Sequence, residues 1–119
     1  MADESRQLQL RVLGYKTDDG LWAAHCLETD LVGYGKYFGK ALDNLVELTE
    51  MQVSFAIQTQ QPSLLYHPAP MHIIESYNTV FQLSLKNYAM KRKPRKDQKV
   101  ASFPLPSATT EVDNAFVQA

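Results

Sequence analysis

The chain has 119 residues, of which 45% are hydrophobic and 21% charged, a composition typical of one globular domain. The single cysteine, Cys26, excludes an intramolecular disulfide framework and a cysteine-based zinc site. The opening residues MADESRQ lack the apolar segment of a secretory signal, and no apolar run approaches the ~18 residues of a membrane span. We therefore expect a soluble, cytoplasmic protein without a membrane partner.

The net charge of −1 is distributed unevenly along the chain. Residues 1–90 contain six Lys/Arg and ten Asp/Glu, whereas residues 91–119 contain six and three. We expect 1–90 to form the domain and 91–119 to be a flexible tail, basic at first and then rich in Pro, Ser and Thr, with one short docked segment allowed around Val100–Leu105. The basic residues of the tail are a candidate patch for nucleic acid or an acidic partner, with a solvated linker as the alternative: Lys91, Arg92, Lys93, Arg95, Lys96 and Lys99.

Three strand patterns precede residue 36. Residues Leu8–Leu13 alternate apolar and polar side chains, a period of two that indicates a half-buried strand. The turn sequence Asp18-Asp19-Gly20 favours a hairpin into a second, more apolar strand at Leu21–Leu27, and Leu31–Tyr34 is a short third strand. Because a parallel crossover needs about a dozen residues, this close spacing predicts an antiparallel meander.

Two helices are predicted after the strands. Apolar residues from Phe38 onwards recur at intervals of three and four, which indicates a long helix that ends near Gln60, before Pro62. A second helix is predicted at Ile73–Met90, with a strand through Thr79–Leu85 as the alternative, because that stretch also alternates. The predicted fold class is therefore α+β, a three-stranded antiparallel meander packed against a long helix and a second helix, in the order β-β-β-α-α.

The stretch GYGKYFGK, residues 33–40, has glycines that suggest a phosphate-binding loop. Such a loop requires Gly-x4-Gly-Lys followed by Ser or Thr, but Gly33 and Gly39 are one residue too far apart and Ala41 replaces the hydroxyl. A dinucleotide-binding motif would need a parallel β-α-β unit, which a meander does not provide. We interpret the stretch as a corner in which Gly33 and Gly35 permit a bend or a positive φ, followed by a helix without a capping side chain.

No constellation of catalytic residues is evident in the sequence. His72 and Glu75 have helical spacing, but His67 lies across two prolines from them, so a metal site is not indicated. His25 and Cys26 are neighbours on a strand, point to opposite faces and cannot act together as base and nucleophile. We therefore predict that the protein is not an enzyme and has no catalytic residues, metal or cofactor.

Several segments resemble the HicB-like antitoxin family in their order: an acidic turn with glycine, an aromatic-alanine strand, a glycine and a helix start, at Asp18–Gly20, Trp22–His25, Gly35 and Ala41–Leu45. The resemblance covers about residues 8–60, roughly half of the chain. It implies a truncated RNase H-like layer, the N-terminal domain of that family. It also implies a non-enzymatic function, in which a homo-oligomer binds and neutralises a small basic ribonuclease toxin of the HicA type. The alternative function is nucleic-acid binding or regulation through the basic segment 91–99, although no clear DNA-binding domain is evident.

A homo-oligomer is also expected on physical grounds. A three-stranded sheet has two exposed edges, which proteins usually cover or pair. The apolar stripe of the first helix is wider than one sheet requires. We expect a dimer or a tetramer, with Tyr34, Tyr37 and Phe38 as the candidate oligomer or partner interface.

Overall fold

An antiparallel sheet with one helix on each face makes up residues 8–93 and 97–105, the part of the chain that the computed structural model describes. The sheet order is β3-β2-β1-β4, and every neighbouring pair is antiparallel. The elements are β1 (Gln9–Lys16), β2 (Trp22–Cys26), β3 (Val32–Gly35), α1 (Phe38–Gln58), a 3-10 turn (Pro62–Leu65), α2 (Met71–Ala89) and β4 (Gln98–Pro104).

The alternation along the strands gives each face of the sheet its own apolar cluster, because successive strand residues point to opposite sides. The face covered by α1 contains the larger cluster, made of Leu10, Val12, Trp22, Ala24, Cys26, Ala41, Leu45 and Phe103. On the other face, Leu13 and Leu27 pack against Val80 of α2. Val80 is the only buried residue of α2, so α1 is the more firmly held of the two helices.

The α+β class, the meander and both predicted helices are confirmed. α1 begins at Phe38 as predicted, and Thr79–Leu85 lies within α2, so the alternative strand was wrong. The count of three strands was also wrong, because β4 pairs with β1 and makes a fourth. β4 lies within the segment 91–119 for which a flexible tail was predicted, and it overlaps the docked segment allowed around Val100–Leu105. β4 pairs with β1, which lies at the other end of the sequence, so no local sequence pattern predicts this strand.

Gly33 and Gly35 serve close packing between β3 and α1. A Cβ atom on Gly33 would overlap the carbonyl oxygen of Ala41 and the amide nitrogen of Leu45, and one on Gly35 would overlap the amide nitrogen of Ala41. The positive φ that the sequence allowed at these positions is absent; among the described glycines it occurs at Gly20, whose φ is 85°. The corner therefore depends on contact between backbones and not on an unusual backbone conformation.

Candidate interaction surface

The outer edge of β3 is short and partly occupied by a side chain of the same molecule. The amide of Cys26 donates to the carbonyl of Leu31 at 2.9 Å, so the even-numbered residues of β3 direct their backbone groups away from the sheet. Tyr34 is one of these residues, and its amide donates to Oδ1 of Asn44 on α1 at 3.0 Å. Because β3 has only four residues, this one bond limits pairing with another strand.

Beside this edge, β3 and the first half of α1 border an open groove of about 490 Å³. The close contacts at Gly33 and Gly35 bring α1 onto β3, so that residues of both elements form its walls. The phenol ring of Tyr37 is open to solvent there, since Tyr37 is 58% exposed. Tyr34 also lines the groove, but Gly33 and Gly35 face α1, so alternation directs the Tyr34 ring to the opposite face of the sheet, near Tyr15. The groove is lined by Tyr34, Gly35, Lys36, Tyr37, Lys40, Asp43, Asn44 and Glu47.

The charge of the groove changes along α1. Lys36 and Lys40 line it at the start of the helix, whereas Asp43 and Glu47 line it about one and two turns further on. Glu50 extends the acidic row outside the groove, because residues three or four positions apart share one side of a helix. Exposed carboxylates therefore stand beside the exposed ring of Tyr37, a combination that suits a basic protein surface.

Phe38 does not share this surface with Tyr37. Its ring meets the ring of Trp22 edge-on, with 5.8 Å between centroids and an interplanar angle of 62°. It also covers Gly14, where a Cβ atom would overlap the phenyl ring. The three residues predicted as an interface are separated in the structure: Tyr37 is exposed beside the groove, the ring of Tyr34 lies on the opposite face of the sheet, and Phe38 packs inward.

The basic residues predicted as one patch are divided in the structure. Lys91–Lys93 are exposed directly after α2. Lys99 lies on β4, where its amine is 5.6 Å from the centre of the Trp22 ring, a cation–π contact that holds the lysine against its own sheet. Residues 95 and 96 lie outside the described part of the chain.

A polar cluster on the α2 face of the sheet was not found by sequence reasoning. His25 is only 8% exposed. Its Nε2 lies 2.6 Å from Oδ1 of Asp30 and its Nδ1 lies 3.3 Å from the hydroxyl of Tyr15. A carboxylate only accepts, so Nε2 donates to Asp30, and Nδ1, where it carries no proton, accepts from the hydroxyl. Burial, with smaller contributions from nearby Tyr34 and Asp30, raises the pKa of the Tyr15 hydroxyl and keeps it in its donating form.

This cluster stabilises the turn between β2 and β3. Asp30 has a φ of 59°, in the left-handed region, and its bond to His25 helps to hold it there. Arg11 adds a second tie, because its amide and its Nε donate to the two carboxylate oxygens of Glu28 at 2.8 Å and 2.7 Å. Both ring nitrogens of His25 are engaged, so His25 is a satisfied core histidine. No short-range signal could have found the cluster, since it depends on strand register and on the fold of the turn.

The other titratable side chains that drew attention in the sequence are separated. His67 and Asp30 line a groove of about 400 Å³, whereas His72 and Glu75 line a different groove of about 340 Å³. Across residues 8–93 and 97–105, no three His, Cys, Asp or Glu side chains are placed to hold a metal ion. Within those ranges, every fully buried side-chain nitrogen and oxygen has a hydrogen-bond partner.

None of the helices in the described residues combines the length and the apolar character needed to cross a membrane.

Comparison with protein-family models, with curated proteins and with solved structures finds no match to this chain. The residues of the molecule's own surface are therefore the basis for assigning a function.

Proposed function

We propose that this chain is a non-enzymatic binding protein of the HicB antitoxin type, which captures a small basic RNA-cleaving protein in the groove between β3 and α1. The observation that carries the proposal is the exposed ring of Tyr37 beside the carboxylates of Asp43 and Glu47 in one groove. The same proposal assigns the sheet and α1 to a truncated RNase H-like layer, which the order β1-β2-β3-α1 supports.

The chemistry of the groove suits a protein partner. Tyrosine is enriched at interfaces because it offers a large apolar ring together with a hydroxyl. Carboxylates orient a basic partner and speed its association, and the acidic excess in residues 1–90 adds an attractive long-range field. A ribonuclease binds RNA phosphates with Lys and Arg. A basic partner would thus place its RNA-binding side against the groove, and capture would prevent it from binding RNA.

Affinity capture from the native organism tests the proposal. The tagged full-length protein should retain a small basic protein that cleaves RNA and that loses this activity on rebinding. Glu47→Lys should weaken capture by about tenfold or more, because it sets a positive charge against a basic surface. Asp18→Lys is the matched control, since it makes the same change at an exposed position of the β1–β2 turn, and it should leave capture unchanged.

Tyr37→Thr separates binding from folding. Tyr37 is the N-cap of α1 and makes no capping hydrogen bond with its side chain. Threonine removes the ring from the groove but offers a cap, so capture should fall while the Tm is unchanged or higher. Capture that survives both Glu47→Lys and Tyr37→Thr would reject the groove, and the absence of any protein partner would reject the proposed function.

The alternative function, nucleic-acid binding, is favoured by the exposure of Lys91–Lys93. Because β4 follows this segment, truncation at Met90 would remove a strand, and charge reversal at Lys91 and Lys93 to Glu is the cleaner change. Retention of RNA or DNA that falls steeply with salt, and that the reversal abolishes, would favour this function. Retention of RNA or DNA that is unchanged by the charge reversal would exclude this segment as the nucleic-acid-binding site.

A further inference from the structure

The outer edge of β4 carries unpaired backbone groups. The amide of Leu105 donates to the carbonyl of Leu8 at 2.7 Å, so the odd-numbered residues of this segment pair with β1. The amides of Gln98, Val100 and Ser102 therefore point away from the sheet. Within residues 8–93 and 97–105, no hydrogen bond joins these three amides to another group.

β4 lacks the devices that protect β3. β3 has four residues, and Asn44 occupies an outward amide. β4 has seven residues, and only Pro104, which has no amide hydrogen, limits pairing at one end. An open edge of this length is normally paired or covered in a folded protein.

We propose that β4 pairs with β4 of a second copy of this chain, antiparallel, about a two-fold axis at Val100. Two four-stranded sheets would then form one continuous sheet. Gln98 of each copy pairs with Ser102 of the other, and Val100 pairs with Val100, so all three outward amides find acceptors. Lys99 faces Ala101 of the other copy, so this register sets no lysine directly opposite its equivalent.

The charges on α2 are complementary between two copies in this arrangement. Glu75 and Thr79 line a groove of about 340 Å³ together with Gln98 of β4, so this side of α2 faces the open edge. Lys86 follows Glu75 by close to three helical turns and therefore lies on the same side. The two α2 helices run antiparallel across the axis, so Glu75 of one copy lies opposite Lys86 of the other.

The position of the two-fold axis along α2 agrees with its position along β4. Val80 of α2 and Val100 of β4 pack in the same apolar cluster around Leu13. Val80 lies near the midpoint between Glu75 and Lys86, so an axis near Val100 brings the opposite charges together twice. An unrelated partner has no reason to match both registers, whereas a second copy matches both by symmetry. The outward amides of β4 and the charges on α2 therefore favour a second copy of this chain as the partner at this edge.

The dimer and the proposed capture of a basic protein use different surfaces. β4 and β3 are the two opposite edges of the sheet. Pairing at β4 leaves the groove beside β3 open in both copies. The dimer and the capture of a basic protein can therefore each be rejected by its own experiment, and rejection of one leaves the other proposal standing.

A charge swap tests the dimer. Size-exclusion chromatography with light scattering should give the full-length protein twice the monomer mass. Glu75→Lys alone or Lys86→Glu alone sets like charges opposite each other and should raise the dissociation constant by about tenfold or more. The double variant restores opposite charges and should recover the dimer. Glu50→Lys, an exposed change on α1 at the other face of the sheet, is the matched control and should leave the dimer intact.

Val100→Cys tests the strand register. Hydrogen-bonded antiparallel residues have Cα atoms about 5.5 Å apart, within the range of a disulfide. Mild oxidation should therefore link two copies of Val100→Cys, while Cys26 is buried and should not contribute. Ser102→Cys has Gln98 as its neighbour and should link far less; equal linking at both positions would overturn the register.

Two results would overturn the dimer itself. A monomer at every concentration would show that the edge is left open or is covered by residues 106–119. A dimer that survives both single charge reversals would show that another surface joins the copies.

Discussion

At Gly33 the backbone of α1 comes so close to β3 that a Cβ atom would overlap the carbonyl oxygen of Ala41 and the amide nitrogen of Leu45. Backbone atoms cannot rotate aside as a side chain can, so Gly33→Ala must push the helix away from the sheet. We expect the free energy of unfolding to fall by about 1–3 kcal/mol, the usual cost of overpacking. Urea denaturation followed by circular dichroism measures it.

Gly39→Ala is the control for this change within the same helix. A Cβ atom on Gly39 would meet only the ring of Tyr37, at 3.9 Å, so no clash is introduced. Alanine is the better helix former, and we expect the free energy of unfolding to rise by about 0.5–1 kcal/mol. If both substitutions lowered stability equally, close contact would not be the reason for glycine at position 33.

At the scale of the element, α1 begins without a capping side chain. The N-cap residue Tyr37 has extended backbone, makes no side-chain cap bond, and is followed by no acidic residue in the first turn. Tyr37→Thr supplies a hydroxyl that can accept from a free amide of the first turn, and the ring that it removes is 58% exposed. We expect a gain of about 0.5–1 kcal/mol in the free energy of unfolding. A loss in urea denaturation would mean that the ring packs more tightly than its exposure indicates.

Elements with a strong local period could be predicted from the sequence. The apolar stripe of α1 and the turn at Asp18–Gly20 gave the meander and the long helix with nearly correct bounds. β4 could not be found in the same way, because Val100 and Phe103 are its only large apolar residues and the rest of its signal is its pairing with β1. The sequence also could not separate Phe38, which faces inward, from Tyr37, which faces solvent, because that difference depends on how the start of α1 packs on the sheet.

The candidate surface was predictable only in part. Tyr34 and Tyr37 could be selected because aromatic residues near a sheet edge are candidates for an interface. The acidic row on α1 was visible only as the polar side of an amphipathic helix. Its position beside Tyr37 and the edge of β3 depends on how closely α1 approaches β3, and that distance is set by Gly33 and Gly35, whose part in close packing was not predicted.

At the scale of the whole molecule, β4 completes the sheet and the core. Phe103 is 7% exposed and belongs to the apolar cluster between the sheet and α1. Removal of β4 would uncover that cluster and free the edge of β1. We expect a chain that ends at Met90 to lose its cooperative unfolding transition, and a chain that ends at Leu105 to unfold like the full-length protein. Urea denaturation of the three chains measures the difference.

Cys26 gives the same prediction a site-specific readout. The thiol is fully buried, and burial is the main cause that raises its pKa. The reactive form is the thiolate, so a thiol reagent should label Cys26 only when the sheet opens. The folded pKa exceeds the unfolded one, so the unfolded state loses its proton first as pH rises, and stability should fall above the ordinary thiol range. Labelling at neutral pH should thus be slow in the chain that ends at Leu105 and close to the unfolded rate in the chain that ends at Met90. Slow labelling of the shorter chain would show instead that three strands and two helices are sufficient, with the domain boundary at residue 90.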